Sequence, residues 1–318
     1  MPSQTEAGKA FEYALLKQSY AQLSDKHNVN VKEDTSFRVA ENCFKLFSTA
    51  EQTKYLKAAT AAISHIVELE PRLENPISQK DVLTLQIVAD AEGIKGDVRD
   101  VLFIRSTQNW EIGISAKNNH KAVKHSRLSD KIDFGKEWLE LNCSDNYFKT
   151  VIPIFAELRK LKDQNELWRN LKDKHKRFYI PILEAFKSEL LRLDKANANT
   201  VPANLLSYLI GNKDFYKVIK RSGKTEIYGF NLYGTLNKSA DKVKPTFKVT
   251  RLKLPTRIIE LSFKPNSTDT VILTCDEGWQ ISFRIHNASS KVEPSLKFDI
   301  NLIGQPQTLY SHHLPWTN

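Results

Sequence analysis

Between Trp110 and Lys117 the chain alternates without a break, setting Ile112, Ile114 and Ala116 against Glu111, Gly113, Ser115 and Lys117. An extended strand places alternate residues on opposite faces, so the pattern describes a half-buried strand. A one-residue slip in its pairing would exchange the two faces, and the alternation therefore also pins the register. The residues from 98 to 105 read as a second strand, and the polar run Ser106-Thr107-Gln108-Asn109 between the two reads as a turn. In a hairpin that pairs position 100 with 115 or 117, Asp100 lies beside Ser115 and Lys117 on one face.

A carboxylate next to an ammonium on a polar strand face suits phosphodiester hydrolysis, which needs an activated water and compensation of developing negative charge. Aspartate is a hard oxygen ligand suited to Mg²⁺. Lys117 would orient the attacking water and offset charge on the phosphorane. One acid seldom holds a divalent ion against a polyanion, so a second metal-binding carboxylate is expected. Glu111 shares the strand face but lies roughly 20 Å from Lys117 along an extended strand. Asp97 in the preceding turn, Asp130, and Glu68 or Glu41 from the N-terminal region remain open as alternatives. Taken singly, Asp97, Asp100 and Lys117 are also what turns and solvated strand ends use.

The residues beyond Lys117 favour a polyanion as partner. Asn118, Asn119, His120, Lys121, Lys124, His125 and Arg127 come in quick succession and offer donors to a phosphate backbone. His120 and His125 are too far apart for a paired helical metal motif. The whole chain carries a formal charge of +10 with a pI near 9.3, which favours association with nucleic acid. Residues 205 to 318 contain 16 Lys and Arg against 9 Asp and Glu. Lys220, Arg221, Arg251 and Arg257 in that region are among the natural places to look for contacts to such a partner. Arg or Lys reading guanine O6 and N7 is the commonest base contact.

Elsewhere the sequence supplies scaffold. Ser48-x-x-Glu51 opens a helix that Pro71 stops, and Ser78-x-x-Asp81 is read as the cap of another, with Val82, Leu85 and Ala89 on one face. Helical spacing returns over residues 132 to 141, 153 to 171 and 181 to 193. The polar stretch 194 to 200 is a candidate domain boundary. Beyond it, residues 224 to 236, 247 to 252, 257 to 263, 271 to 275 and 279 to 285 are strand-like, while His312-His313 reads as a tail. The expected architecture is α/β, with a helical scaffold and nuclease core in residues 1–195 and a β-rich, basic DNA-recognition region in 205–318.

Cys43, Cys143 and Cys275 are widely spaced, against both a zinc ribbon and a disulfide framework. No signal-like head or membrane-length apolar run is evident, so a reducing cytoplasm is the expected compartment, with no membrane partner.

The run GDVRDVLFIR, then WEIGISAKNNHKAVKHSRLS, then IDFGKEW at 132 to 138 resembles the type II restriction endonucleases of the group that recognises GGCC, within the PD-(D/E)xK nuclease superfamily. The likeness covers roughly residues 90 to 170. It implies a Mg²⁺-dependent endonuclease for double-stranded DNA with a PD-(D/E)xK core, a helical N-terminal region and a β-rich C-terminal region. It also implies a cognate DNA methyltransferase in the same system. The acidic strand maps onto Asp100 and the motif lysine onto Lys117. The position two before that lysine, normally acidic, is Ser115, and a carboxylate recruited from elsewhere, at a spacing that Asp130 matches, would replace it. The rival readings are a non-catalytic DNA-binding protein and a repair or structure-specific nuclease.

Overall fold

The computed structural model describes residues 2–89, 97–119 and 126–316. They form two compact units, one drawn from residues 1–121, 211–252 and 308–318, the other from 122–210 and 253–307.

In the first unit, among the described residues, three α-helices cover a mixed sheet. Helix α1, Gln4–Leu23, begins with a complete capping box between Ser3 and Glu6, α2 spans Thr35–Lys45, and α3 spans Thr49–Leu69 with the Ser48 hydroxyl accepting from Glu51 N. The strands are β1 (Val29–Val31), β2 (Leu83–Ile87), β3 (Val101–Arg105), β4 (Trp110–Asn118), β6 (Phe215–Lys220), β7 (Lys224–Phe230) and β12 (Tyr310–Pro315). Among the described residues they lie in the order β1-β2-β3-β4-β6-β7-β12. The pairs β1–β2 and β4–β6 are parallel and the rest antiparallel.

Ala10, Phe11, Leu15, Ala59, Ile63 and Ile66 from the helices meet Leu83, Leu85, Phe103, Ile112, Ile114 and Val218 from the sheet in one buried core. Each fully buried Leu, Ile or Phe contributes about 1.5–3 kcal/mol. This burial holds the alternation of β4 in register: Val101 faces Ile114, Phe103 faces Ile112 and Arg105 faces Trp110.

In the second unit α4 (Phe134–Leu139), α5 (Asp145–Asp163), α6 (Ile180–Ala196) and α7 (Val201–Ile210) accompany an antiparallel sheet. Its strands are β5 (Arg127–Leu128), β8 (Ile258–Phe263), β9 (Thr270–Cys275), β10 (Gln280–His286) and β11 (Leu296–Gly304), in the order β5-β11-β10-β9-β8. Phe186 packs against Phe134, Phe283 and Phe298 at ring separations of 4.9, 5.5 and 5.2 Å.

Several expectations give way to tertiary structure. The helix expected after Ser78 is strand β2, because Leu83, Leu85 and Ile87 bury at a spacing of two. The Asp81 carboxylate accepts from Ile77 N instead of closing a helix cap. Helix α5 starts ahead of Pro153, since Ser144 caps it by accepting from Tyr147 N and Tyr147, Val151, Phe155 and Leu158 bury its face. Residues 247 to 252 form no regular strand, and His312-His313 belongs to β12, paired with β7. The 195/205 division does not coincide with the compact units: β6, β7 and β12 from the C-terminal third complete the sheet that holds β3 and β4. Among the described residues no helix is long and apolar enough to cross a membrane.

Candidate active site

Asp100 immediately precedes β3 and extends the hairpin: its N–H donates to the Ile114 carbonyl at 2.7 Å, and its carbonyl accepts from Val88 N at 2.9 Å. With the backbone so held, the side chain turns towards the end of β4. Oδ2 accepts from Ala116 N at 2.6 Å, with the Ser115 hydroxyl and Lys117 Nζ each 3.4 Å away. Ser115 is buried, whereas the Asp100 and Lys117 side chains are 24% and 29% exposed. Three donors thus converge on one carboxylate oxygen, and among the described residues none reaches Oδ1.

A further acid is electrostatically coupled to this group, and neither spacing nor motif pointed to it. Glu12 of α1 is 6% exposed, and its Oε2 accepts from Lys9 Nζ at 3.0 Å. Burial, then the negative charge of Asp100, push its carboxyl up to about 7, while Lys9 and Lys117 pull the other way. Glu12 therefore shares one electrostatic neighbourhood with Asp100 and Lys117. Its only trace in the sequence is a charge at the margin of the apolar stripe of Phe11, Ala14 and Leu15.

Asp100 and Glu12 carry hard oxygen donors of the kind that suit a divalent cation. Among the described residues no group of three or more His, Cys, Asp or Glu is arranged to hold a metal.

Asp97 is occupied otherwise. Arg99, 5% exposed, donates to Asp97 Oδ1 and Oδ2 at 2.8 and 2.6 Å and to Glu111 Oε1 at 3.0 Å. Burial raises the Asp97 carboxyl, but the Arg99 bonds outweigh it and hold the group below the ordinary range. Gly113 lets Arg99 cross the strand, for a Cβ there would lie 2.4 Å from Arg99 Cδ. In the second unit Asp130 accepts from Arg159 at 2.6 Å. Glu41 pairs with Lys45 and Glu68 with His65.

Most of the cations expected to contact DNA are also engaged. Lys220 is only 7% exposed, with Nζ 4.8 Å from the Tyr55 ring centre, 5.8 Å from that of Trp316 and 3.5 Å from Asn118 Oδ1. Burial pushes its pKa down. Arg221 donates to the Asn119 carbonyl at 2.8 Å and bonds Glu226, so it fixes the chain just after Lys117. Asn119 adopts a left-handed backbone, and Asn118 donates to the Tyr55 hydroxyl at 3.3 Å. Arg251 donates to the Leu232 carbonyl, Arg127 bonds Glu293 and Ser295, and Arg257 lies 3.9 Å from Asp276. His120, Lys121, Lys124 and His125 lie outside the described residues.

The HaeIII restriction endonuclease family model matches residues 8–306. The chain belongs to that family. The type II restriction enzyme HaeIII of Haemophilus aegyptius is 46% identical over 312 residues, covering 97% of both chains. No solved structure matches. The match spans both compact units, so the whole chain is a site-specific DNA endonuclease, a hydrolase of the restriction type acting on double-stranded DNA.

Proposed function

We propose that the chain cleaves double-stranded DNA at GGCC, and that the polar face of the β3–β4 hairpin is its catalytic centre. The observation carrying the second part is the convergence of Ala116 N–H, the Ser115 hydroxyl and the Lys117 ammonium on Asp100 Oδ2. The mixed sheet, with an acid before one strand and a lysine near the end of its hairpin partner, supports a PD-(D/E)xK core. Full-length relationship to a type II restriction enzyme, together with the resemblance of residues 90 to 170 to the GGCC group, supports the target.

Asp100 and Glu12 would hold Mg²⁺, which when bound lowers the pKa of water and draws charge from the phosphate. Ala116 and Ser115 fix the Asp100 carboxylate, so little reorganisation accompanies the reaction. Lys117 places a positive charge where negative charge accumulates on the phosphorane. Glu12 takes the place of the acid that Ser115 lacks. Asp97 acts through Arg99, keeping the residue next to Asp100 fixed. The restriction reading also implies cytoplasmic action and a companion DNA methyltransferase that protects the host's own sites.

The test is a plasmid digest with Mg²⁺, repeated with EDTA and with Asp100→Ala. Discrete fragments ending at GGCC are expected for the native protein with Mg²⁺, and intact plasmid for the other two. Fragments ending elsewhere would remove the target assignment. Wild-type rates in Asp100→Ala would remove the catalytic centre from this hairpin.

A further inference from the structure

The excess positive charge is not confined to the C-terminal third. Residues 159 to 177 hold eight Lys and Arg against three Asp and Glu. They run from the last turns of α5 to a π-helical turn, His175–Tyr179, that leads into α6. Lys160, Lys162, Arg169, Lys172 and Lys176 are exposed. Among the described residues none of the five makes an ion pair or a side-chain hydrogen bond. This sets them apart from Lys220, Arg221, Arg251, Arg127 and Arg257, whose polar ends are engaged.

A charge run is ordinarily a solvated face, and cations at a helix C-terminus also complement its dipole. Two features speak for more than that here. First, the segment is held in a defined shape. Trp168 N donates to the Ser290 carbonyl at 2.9 Å, Val292 N donates to the Glu166 carbonyl at 3.0 Å, and Leu167 bridges Lys291. The Trp168 ring packs against Phe178 and Tyr179 at 5.9 and 5.6 Å, and His175 bonds the Thr268 hydroxyl at 2.8 Å. Second, the nearest acids do not neutralise it. Glu157 is taken by Arg177, and Asp163, Glu166 and Asp173 are outnumbered. A pre-shaped ridge of unpaired cations places its charges without the ordering cost that a flexible tail would incur. π-helical turns are themselves uncommon and concentrate at functional positions.

We propose that this ridge, from Lys160 to Lys176, is a second DNA-contacting surface, binding the phosphate backbone of the duplex independently of base sequence. It rests on the double-stranded DNA substrate that the family establishes, and it assigns backbone affinity to the second unit.

The experiment measures duplex binding by the full-length protein in EDTA, where cleavage is blocked, across a series of KCl concentrations. Native protein is compared with a variant carrying Lys160→Gln, Lys162→Gln, Arg169→Gln, Lys172→Gln and Lys176→Gln. Each lost phosphate contact lowers the slope of log K against log salt by about 0.9, so loss of three or more contacts lowers it by at least about 3. Affinity is expected to fall by the same factor for duplexes with and without GGCC, while kcat at saturating DNA stays unchanged. Two paired variants, Lys160→Gln with Lys162→Gln and Lys172→Gln with Lys176→Gln, each lower the slope by about 2 and serve if the fivefold variant melts early. Substituting the four lysines by Arg is expected to restore the native slope. Native DNA binding with an unchanged slope in every neutralised variant overturns the proposal alone. A native protein with no salt-dependent DNA binding overturns the substrate reading itself. A loss confined to GGCC-containing duplex assigns the ridge to base reading and overturns backbone contact.

Discussion

Replacing Glu12 by Gln tests whether the buried acid of α1 serves metal binding at the expense of stability. An unfolded glutamate titrates near 4.5, whereas the folded group is pushed up to about 7. The native state therefore holds that proton more tightly. The resulting stability is complete below about 4.5 and is lost as pH rises through 7. At pH 8 the displacement from 4.5 to about 7 corresponds to a penalty on the order of 3 kcal/mol.

Gln removes that penalty, from which the favourable pull of the 3.0 Å Lys9 ion pair has already been deducted. Without metal at pH 8, Glu12→Gln should therefore exceed the native protein in stability by about 3 kcal/mol, and at pH 4 the advantage should vanish. Adding Mg²⁺ narrows the gap. At ten times its Kd the ion stabilises the native protein by about 1.4 kcal/mol, whereas the variant should gain little and cut DNA far more slowly. Denaturant unfolding at pH 4 and pH 8, with and without Mg²⁺, reads all four states. A variant weaker than native at pH 8 without metal, or one retaining the full Mg²⁺ stabilisation, refutes the placement of Glu12 beside Asp100 as a ligand.

Two further variants probe the scaffold around the site. Gly113→Ala drives a methyl into Arg99, 2.4 Å from Cδ and 2.8 Å from Cβ and Cγ, so a loss of about 2 kcal/mol is expected, with cleavage slowed because Asp100 follows Arg99 directly. Native melting and cleavage in that variant would show that the Arg99 crossing does not position Asp100. Glu70 is fully buried, accepts from Tyr216 and Asn237 N at 2.7 and 2.6 Å, and is pushed up to about 7 by burial. Its stabilising contribution is therefore complete below about 4.5 and lost through pH 7, a change of about 3 kcal/mol. Glu70→Gln should flatten the stability profile over that range, and parallel profiles for variant and native protein would contradict the upward shift of the Glu70 carboxyl.

By itself the sequence determined the local geometry of the hairpin. The alternation from Ile112 to Lys117 describes one strand and puts Asp100 on the face of Ser115 and Lys117, and the observed pairing of Val101 with Ile114 selects Ser115 of the two. An alternating pattern is a property of neighbouring residues, so it survives in one dimension, although β4 is buried on both faces from Ile112 to Ala116. Helix α3 was legible for the same reason, through the Ser48 cap and the stripe from Tyr55 to Ile66. Tertiary structure decided what depends on partners distant in sequence. Strand β2 was hidden because Val82, Leu85 and Ala89 mimic a helical face until Leu83, Leu85 and Ile87 find their core. The division of the chain was decided by β6, β7 and β12 returning to the first sheet, a pairing no local pattern announces. Glu12 came into view because an acid's role depends on what surrounds it, and its surroundings include residues some ninety positions along the chain. The sequence counted positive charges, but only the folded chain showed which had already met an acid, a carbonyl or an aromatic face.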